Sequence, residues 1–162
     1  MSVATHKKNR IIEIIFFGRG GQGAVTAAQI AGRAAHLSGF KGVTAAPTFG
    51  AERRGAPVEA YLRLADFKIN IYSNIEKCDY IVALDDSLID KINKSVIKEN
   101  QTVLIINSGD KSKIEEIGRL LKVAKIAYAD AFEIAESLKL LVAGNVIINT
   151  PILGAFVKVT EL

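Results

Sequence analysis

Three stretches have the residue types and spacing to do chemistry. The first is Gly18-Arg19-Gly20-Gly21-Gln22-Gly23, in which Gly18, Gly20 and Gly23 fit G-x-G-x-x-G. A glycine turn of this kind can face backbone N–H groups outward. With the positive end of a following helix it makes a site for an anion, most often a phosphate. The same glycines also fit a turn that only lets a helix pack closely on a strand. Thr26 would lie in the first turn of that helix, its hydroxyl within reach of the same anion or turned into packing. The second stretch is Gly50-Ala51-Glu52-Arg53-Arg54-Gly55, where two guanidinium groups suited to bidentate phosphate or carboxylate contacts sit between glycines. The third is Asp85-Asp86. Paired carboxylates can serve acid–base catalysis, but Ser87-Leu88-Ile89 follows at once, and the pair reads as a helix cap.

The glycine motif invites a dinucleotide reading, which the next strand argues against. A nicotinamide site needs an acid about 20 residues on, at the end of the second strand, to hold ribose hydroxyls. Here that strand, Lys41 to Pro47, carries no acid, and the first one afterwards is Glu52, beside two arginines. The second loop is therefore built for another anion.

Other chemistries lack their residues. One cysteine, Cys78, in 162 residues excludes an intrachain disulfide, and a chain with one thiol cannot by itself hold an iron–sulfur cluster or a thiolate zinc site. Cys78 reads as a small buried hydrophobe. His6 falls in the N-terminal tail and His36 in the first helix, with no third imidazole or paired acid to complete a metal set. A net charge of +4 fits an anionic ligand or an acidic partner, but the lysines are scattered and no basic stripe interleaved with aromatics points to nucleic acid. No apolar run reaches membrane-spanning length and Met1 to Lys8 lacks a signal-peptide core, so a cytoplasmic location is expected.

The elements that must position these residues follow from pattern. Ile11 to Phe17 is a short, almost wholly apolar run, read as a buried, central, parallel strand. An alanine-rich helix from Gln22 to Ser38 follows and stops at Gly39. After the second strand, Ala45 to Pro57 is a loop punctuated by Pro47, Gly50, Gly55 and Pro57. A loop this long is usually functional, and it should open at the same sheet edge as the glycine turn. Val58 to Leu64 alternates, with Val58, Ala60, Leu62 and Leu64 on one face. Lys68 to Tyr72 alternates again, which predicts a hairpin-like antiparallel addition. Tyr80 to Leu84 is a strand, followed by a helix to about Asn100. Thr102 to Ile106 and Val123 to Tyr128 are strands, with a turn and helix between them starting at Asn107-Ser108-Gly109-Asp110. Asp130 with Glu133 opens a helix to about Leu141. Thr150 and Pro151 suit a cap and first helical position, opening a strongly apolar final helix without a stop signal. The pattern predicts a three-layer, Rossmann-like α/β fold with a mostly parallel sheet and ligand loops at the strands' carboxyl ends. Residues 1–10 read as a flexible tail and 11–162 as one domain.

Gly18 to Ala27, together with Phe49-Gly50-Ala51-Glu52-Arg53-Arg54-Gly55-Ala56-Pro57-Val58, resembles the gamma subunit of 2-oxoacid:ferredoxin oxidoreductases. Asp79-Tyr80-Ile81-Val82 and Asn149-Thr150-Pro151-Ile152-Leu153-Gly154-Ala155 are also similar to that family, and the Glu-Arg-Arg-Gly-Ala-Pro form is most like its pyruvate branch. The resemblance implies a part in oxidative decarboxylation of a 2-oxoacid, with coenzyme A, to acyl-CoA and carbon dioxide, reducing ferredoxin. It implies alpha, beta and delta partner subunits. Thiamine diphosphate would lie between alpha and beta, and 4Fe-4S clusters in partner subunits rather than in this chain. The expected contribution here is to coenzyme A. Amides of Gly20, Gly21, Gln22 and Gly23 would meet one phosphate, and Arg19, Arg53 and Arg54 would pair with others, with Gly18, Thr26 and Glu52 at the same site. A purely structural assembly subunit, in which Glu52, Arg53 and Arg54 lock onto a neighbouring chain, and a stand-alone nicotinamide or flavin oxidoreductase are the alternatives.

Overall fold

A computed structural model describes residues 10–48, 55–142 and 144–162. The chain runs β1 (Ile12–Arg19), α1 (Ala24–Leu37), β2 (Gly42–Pro47), β3 (Pro57–Ala65), β4 (Tyr80–Ala83), β5 (Val103–Asn107), α2 (Lys111–Leu121), β6 (Lys125–Ala129), α3 (Ala131–Ser137), β7 (Leu141–Val142), β8 (Asn145–Val146) and α4 (Asn149–Thr160). Six strands form one sheet in the order β2-β3-β1-β4-β5-β6. The pairs β1–β4, β4–β5 and β5–β6 are parallel, whereas β3 runs antiparallel to both β1 and β2.

The apolar run at β1 is buried on both faces because side chains alternate across a strand. Ile14 and Phe16 point into one core with Ala24, Ala27 and Ala28 of α1 and Ile152, Leu153 and Phe156 of α4. Ile15 and Phe17 point into the other, with Leu88, Ile89 and Ile97 of the segment after β4 and with Ile117 and Leu121 of α2. Helices on both faces of a mostly parallel sheet give the three layers expected. Ala60, Leu62 and Leu64 of β3 are all buried under α1, as their alternation predicted. Their opposite face is not solvated throughout. Arg63 is buried as well and donates from Nε to Glu13 Oε1 at 2.9 Å across the β1–β3 pair.

Several expectations are corrected. β1 is central but parallel to β4 only, since β3 inserts antiparallel on its other side. The antiparallel addition is therefore β2–β3, and Lys68 to Tyr72 forms no strand. Of its two alternating isoleucines, Ile69 is buried against Gly42 and Ile71 is exposed. The segment after β4 is not an α-helix but two 3-10 turns, Asp86–Lys91 and Lys94–Val96, capped by Asp85 and Asn93. α3 ends at Ser137, short of Leu141, which instead enters the β7–β8 pair. α4 opens at Asn149, so Thr150 and Pro151 lie within its first turn. It closes at Glu161 in a left-handed conformation, φ 55°, a stop with no glycine to announce it. Asp110 and Asp130 cap α2 and α3 by accepting from Ser112 N and Glu133 N. Among the described residues no helix is long and apolar enough to cross a membrane.

Candidate functional site

β1 ends at Arg19, and the glycine turn leads directly into α1 at the carboxyl end of the parallel strands. Gly21 and Gly23 hold φ values of +97° and +84°, a left-handed region that L side chains rarely adopt. Gly23 is the N-cap of α1, and no side chain caps the helix and no acid lies in its first turn. Its first amides therefore keep their positive field unneutralised. A Cβ on Gly21 would meet only open space, so this side of the turn is accessible. A Cβ on Gly23 would meet Asn149 Nδ2 at 2.5 Å, because the first residue of α4 lies where a cap side chain would otherwise sit. Thr26 is exposed in the first turn of α1.

The second loop returns to this turn. Gly20 N donates to Ala56 O at 2.8 Å, and Gly55 N donates to Gly20 O at 3.3 Å. In the β1–β3 register Arg19 faces Pro57. Glu52, Arg53 and Arg54 lie outside the described residues. The two flanks of their loop, Thr48 and Gly55, are held at the same end of the sheet: Thr48 N donates to Glu59 O at 3.0 Å, and Gly55 bonds the glycine turn itself.

Not every expected donor is free. The amide of Gly20 is committed to Ala56, and that of Gln22 to Arg19 O at 3.0 Å. Gly21 and Gly23 amides find no acceptor among the described residues. Arg19 is engaged on three sides. Nε donates to Asp85 Oδ2 at 2.8 Å, Nη2 to Ser87 Oγ at 2.8 Å and Nη1 to Gly55 O at 3.3 Å. Gln22 completes the knot: its Oε1 accepts from Arg19 N at 2.6 Å and its Nε2 donates to Asp85 Oδ2 at 3.0 Å. The turn, the loop flank and the end of β4 thus share one carboxylate.

Asp85 was legible only as a cap, a role it keeps by accepting from Ser87 N at 3.0 Å. Nothing local in the sequence tied it to Arg19, 66 residues away. Partial burial pulls its carboxyl up, but hydrogen bonds from Ser87, Gln22 and Arg19 more than offset this and hold it below the ordinary carboxylate value. Beyond it, a cleft of about 290 Å³ at the ends of β4, β5 and β6 is lined by Gln22, Asp85, Asp86, Ser108 and Asp130 among others. Two of its three carboxylates are paired with cations, Asp85 with Arg19 at 2.8 Å and Asp86 with Lys113 at 3.5 Å, and Asp130 caps α3. The exposed side of the glycine turn at Gly21 lies next to Gly55, whose amide bonds Gly20 O.

The remaining candidates fall elsewhere. His36 is exposed in the last turn of α1, and Cys78 is wholly buried, where desolvation pushes its thiol up to about 12. Among the described residues no group of three His, Cys, Asp or Glu side chains can hold a metal ion.

Comparison with known proteins places this geometry in context. Residues 13–162 match the family described as pyruvate ferredoxin/flavodoxin oxidoreductase. The pyruvate/ketoisovalerate oxidoreductases common subunit gamma of Pyrococcus furiosus is 46% identical over 153 residues, covering 94% of this chain and 80% of that protein. The subunit of the same description from Thermococcus litoralis is 47% identical with the same coverage. Among solved structures, the pyruvate oxidoreductase subunit PORC of Thermotoga maritima superposes with a TM-score of 0.74 at 33% identity, covering 96% of this chain and 78% of that one.

Proposed function

The chain belongs to the pyruvate ferredoxin/flavodoxin oxidoreductase family, as a gamma-type subunit, and from that premise we propose that it supplies part of a coenzyme A site and helps hold the enzyme together. The assembled enzyme would decarboxylate a 2-oxoacid, with pyruvate favoured, and pass electrons to ferredoxin. Thiamine diphosphate and iron–sulfur clusters would reside in alpha, beta and delta partners. The single buried thiol of this chain fits no cluster.

One observation carries the coenzyme A reading: the base of the arginine loop is hydrogen-bonded to an open, uncapped glycine turn through Gly20, Gly55 and Ala56. Coenzyme A carries a pyrophosphate and a 3′-phosphate, and Arg54 is covalently next to Gly55. Gly21 and Gly23 amides, with the positive end of α1, would take one phosphate, and Arg53 and Arg54 the others. Arg19 acts differently in this reading. Tied to Asp85, Ser87 and Gly55 O, it braces the loop's flank rather than meeting the ligand. Exposed apolar side chains favour the assembly role beside it: Phe132 and Leu138 near α3, and Leu141 and Val142 in β7, are each at least half exposed.

Titrating coenzyme A into the assembled complex tests the site. Arg53→Ala with Arg54→Ala should weaken binding by tenfold or more, given about 1.5–3 kcal/mol for each hydrogen bond to a charged group. Unchanged affinity rejects the ligand role. A complex that falls apart on a sizing column, with affinity intact in what remains assembled, assigns the arginines to subunit contacts.

A further inference from the structure

On the side of the sheet away from the acidic cleft, β2 is an edge strand, and its outer edge is unpaired among the described residues. Thr48 N bonds Glu59 O one step beyond the Pro47–Ala60 pair, so even-numbered residues of β2 occupy hydrogen-bonding positions toward β3. Antiparallel geometry then turns the N–H and C=O groups of Val43 and Ala45 outward. Edges of this kind are normally blunted. Here Lys41 precedes the strand and Pro47 ends it, but between them lie only Gly42, Val43, Thr44, Ala45 and Ala46, about 17 Å of small, neutral backbone at 3.4 Å per residue.

A groove of about 400 Å³ runs beside this edge, between β2 and α1. Gly32 lets α1 approach: a Cβ there would stand 3.2 Å from Val43 Cγ1 and 3.4 Å from Ala45 Cβ. The groove's charged lining is cationic, with exposed Arg33 and Lys41, and the polar side chains of His36 and Gln29 stand beside them. Neither Arg33 nor Lys41 has an acidic side-chain partner among the described residues. No Asp or Glu occurs in the sequence from Ile14 to Ala51; the acid beside Lys41 across the strand pair is Asp66, which follows Ala65, the acceptor of Lys41 N.

We propose that the outer edge of β2 docks an extended, acidic segment of a partner protein. The segment adds as a further strand, its backbone pairing with Val43 and Ala45 while alternate carboxylates meet Arg33 and Lys41. Backbone pairing supplies the affinity, and the period of two in a strand supplies the match, because every second side chain of an added strand faces the α1 layer. The inference does not depend on the coenzyme A reading.

The test uses the full chain and a fluorescein-labelled peptide with glutamate alternating with valine or threonine. Fluorescence anisotropy should detect binding that weakens about tenfold or more in Arg33→Glu with Lys41→Glu, and that a peptide of the same composition with lysine for glutamate does not reproduce. Both substituted residues are exposed, so the fold is untouched, and a circular dichroism spectrum checks this. N-methylating the peptide at the amides that face the edge should abolish binding while every charge remains. Hydrogen exchange at Val43 and Ala45 should slow in the complex. No binding, undiminished binding of the N-methylated peptide, displacement by inorganic triphosphate at equal charge, or protection confined to other residues would each overturn the proposal.

Discussion

Replacing Gly23 by alanine probes the contact that shapes the glycine turn. Two separate terms oppose a Cβ there. The left-handed backbone, φ +84°, costs about 1–2 kcal/mol for a residue with a side chain, and alanine's stiffer unfolded state returns about 0.4–1 kcal/mol. The second term is steric. The new methyl lies 2.5 Å from Asn149 Nδ2, 3.2 Å from its Cγ and 3.3 Å from its Cβ, and Asn149 is only 8% exposed, so it cannot swing into solvent. Forcing atoms into a packed site costs about 1–3 kcal/mol. Gly21→Ala carries the first term alone, because nothing stands within 4 Å of its Cβ. Urea denaturation should therefore give a loss of about 1 kcal/mol for Gly21→Ala and about 3 kcal/mol for Gly23→Ala. At about 3 °C per kcal/mol for a chain of this size, melting shifts would be about 3 °C and about 9 °C. Measured in an Asn149→Ala background, Gly23→Ala should cost only about 1 kcal/mol, a coupling of about 2 kcal/mol between the two positions. Equal losses for the two glycine variants, or a Gly23→Ala cost unchanged by removing Asn149, would refute the idea that α4 presses on the turn.

Glu13→Gln leaves the Arg63 guanidinium buried without its charge partner and should cost about 3 kcal/mol, whereas Glu13→Leu with Arg63→Met should recover most of that loss. A single-variant cost below about 1 kcal/mol would mean the pair is effectively solvated. Asp85 is held below its ordinary value of 3.8, so its stabilisation is present above that value and is lost as pH falls through the lower folded one. Melting temperature followed from about pH 5 to about pH 2 should drop less steeply in Asp85→Asn than in the wild type, and parallel curves would remove the network from the acid response. The Cys78 thiol should resist alkylation in the folded chain at mildly alkaline pH. Because burial raises it from 9.0 to about 12, folded stability should decline as pH rises past 9 and continue declining toward 12. Fast labelling under native conditions, or alkaline stability unchanged by Cys78→Ala, would contradict that burial.

The glycine turn between β1 and α1 was readable in one dimension because its determinants are local. Glycines with an N-terminal strand and a C-terminal helix specify a turn wherever the rest of the chain goes, and arginines between glycines specify a cationic loop. Strand periodicity likewise put Val58, Ala60, Leu62 and Leu64 on one face; that face packs under α1 at Ala60, Leu62 and Leu64, while Val58 is half-buried. Lys68 to Tyr72 misled because two alternating isoleucines do not make a strand: Ile69 alone is buried, packed at Gly42, and Ile71 is exposed. The segment after β4 forms 3-10 turns whose Leu88, Ile89 and Val96 pack in one core with Ile81 and Ala83, and the local pattern of apolar residues did not separate this from an α-helix.

What the residue order determined on its own is a glycine turn between a strand and a helix, a pair of arginines between glycines, and alternating strands and helices, since each follows from backbone sterics and residue type within a few neighbours. Only the folded chain decided the partners across long separations: Arg19 and Gln22 on Asp85, Gly23 against Asn149, Arg63 beneath Glu13, and an unpaired edge at β2. A guanidinium free in the sequence can be a ligand for any anion. Which carboxylate or phosphate it meets depends on which strand ends the sheet brings within about 3 Å of it.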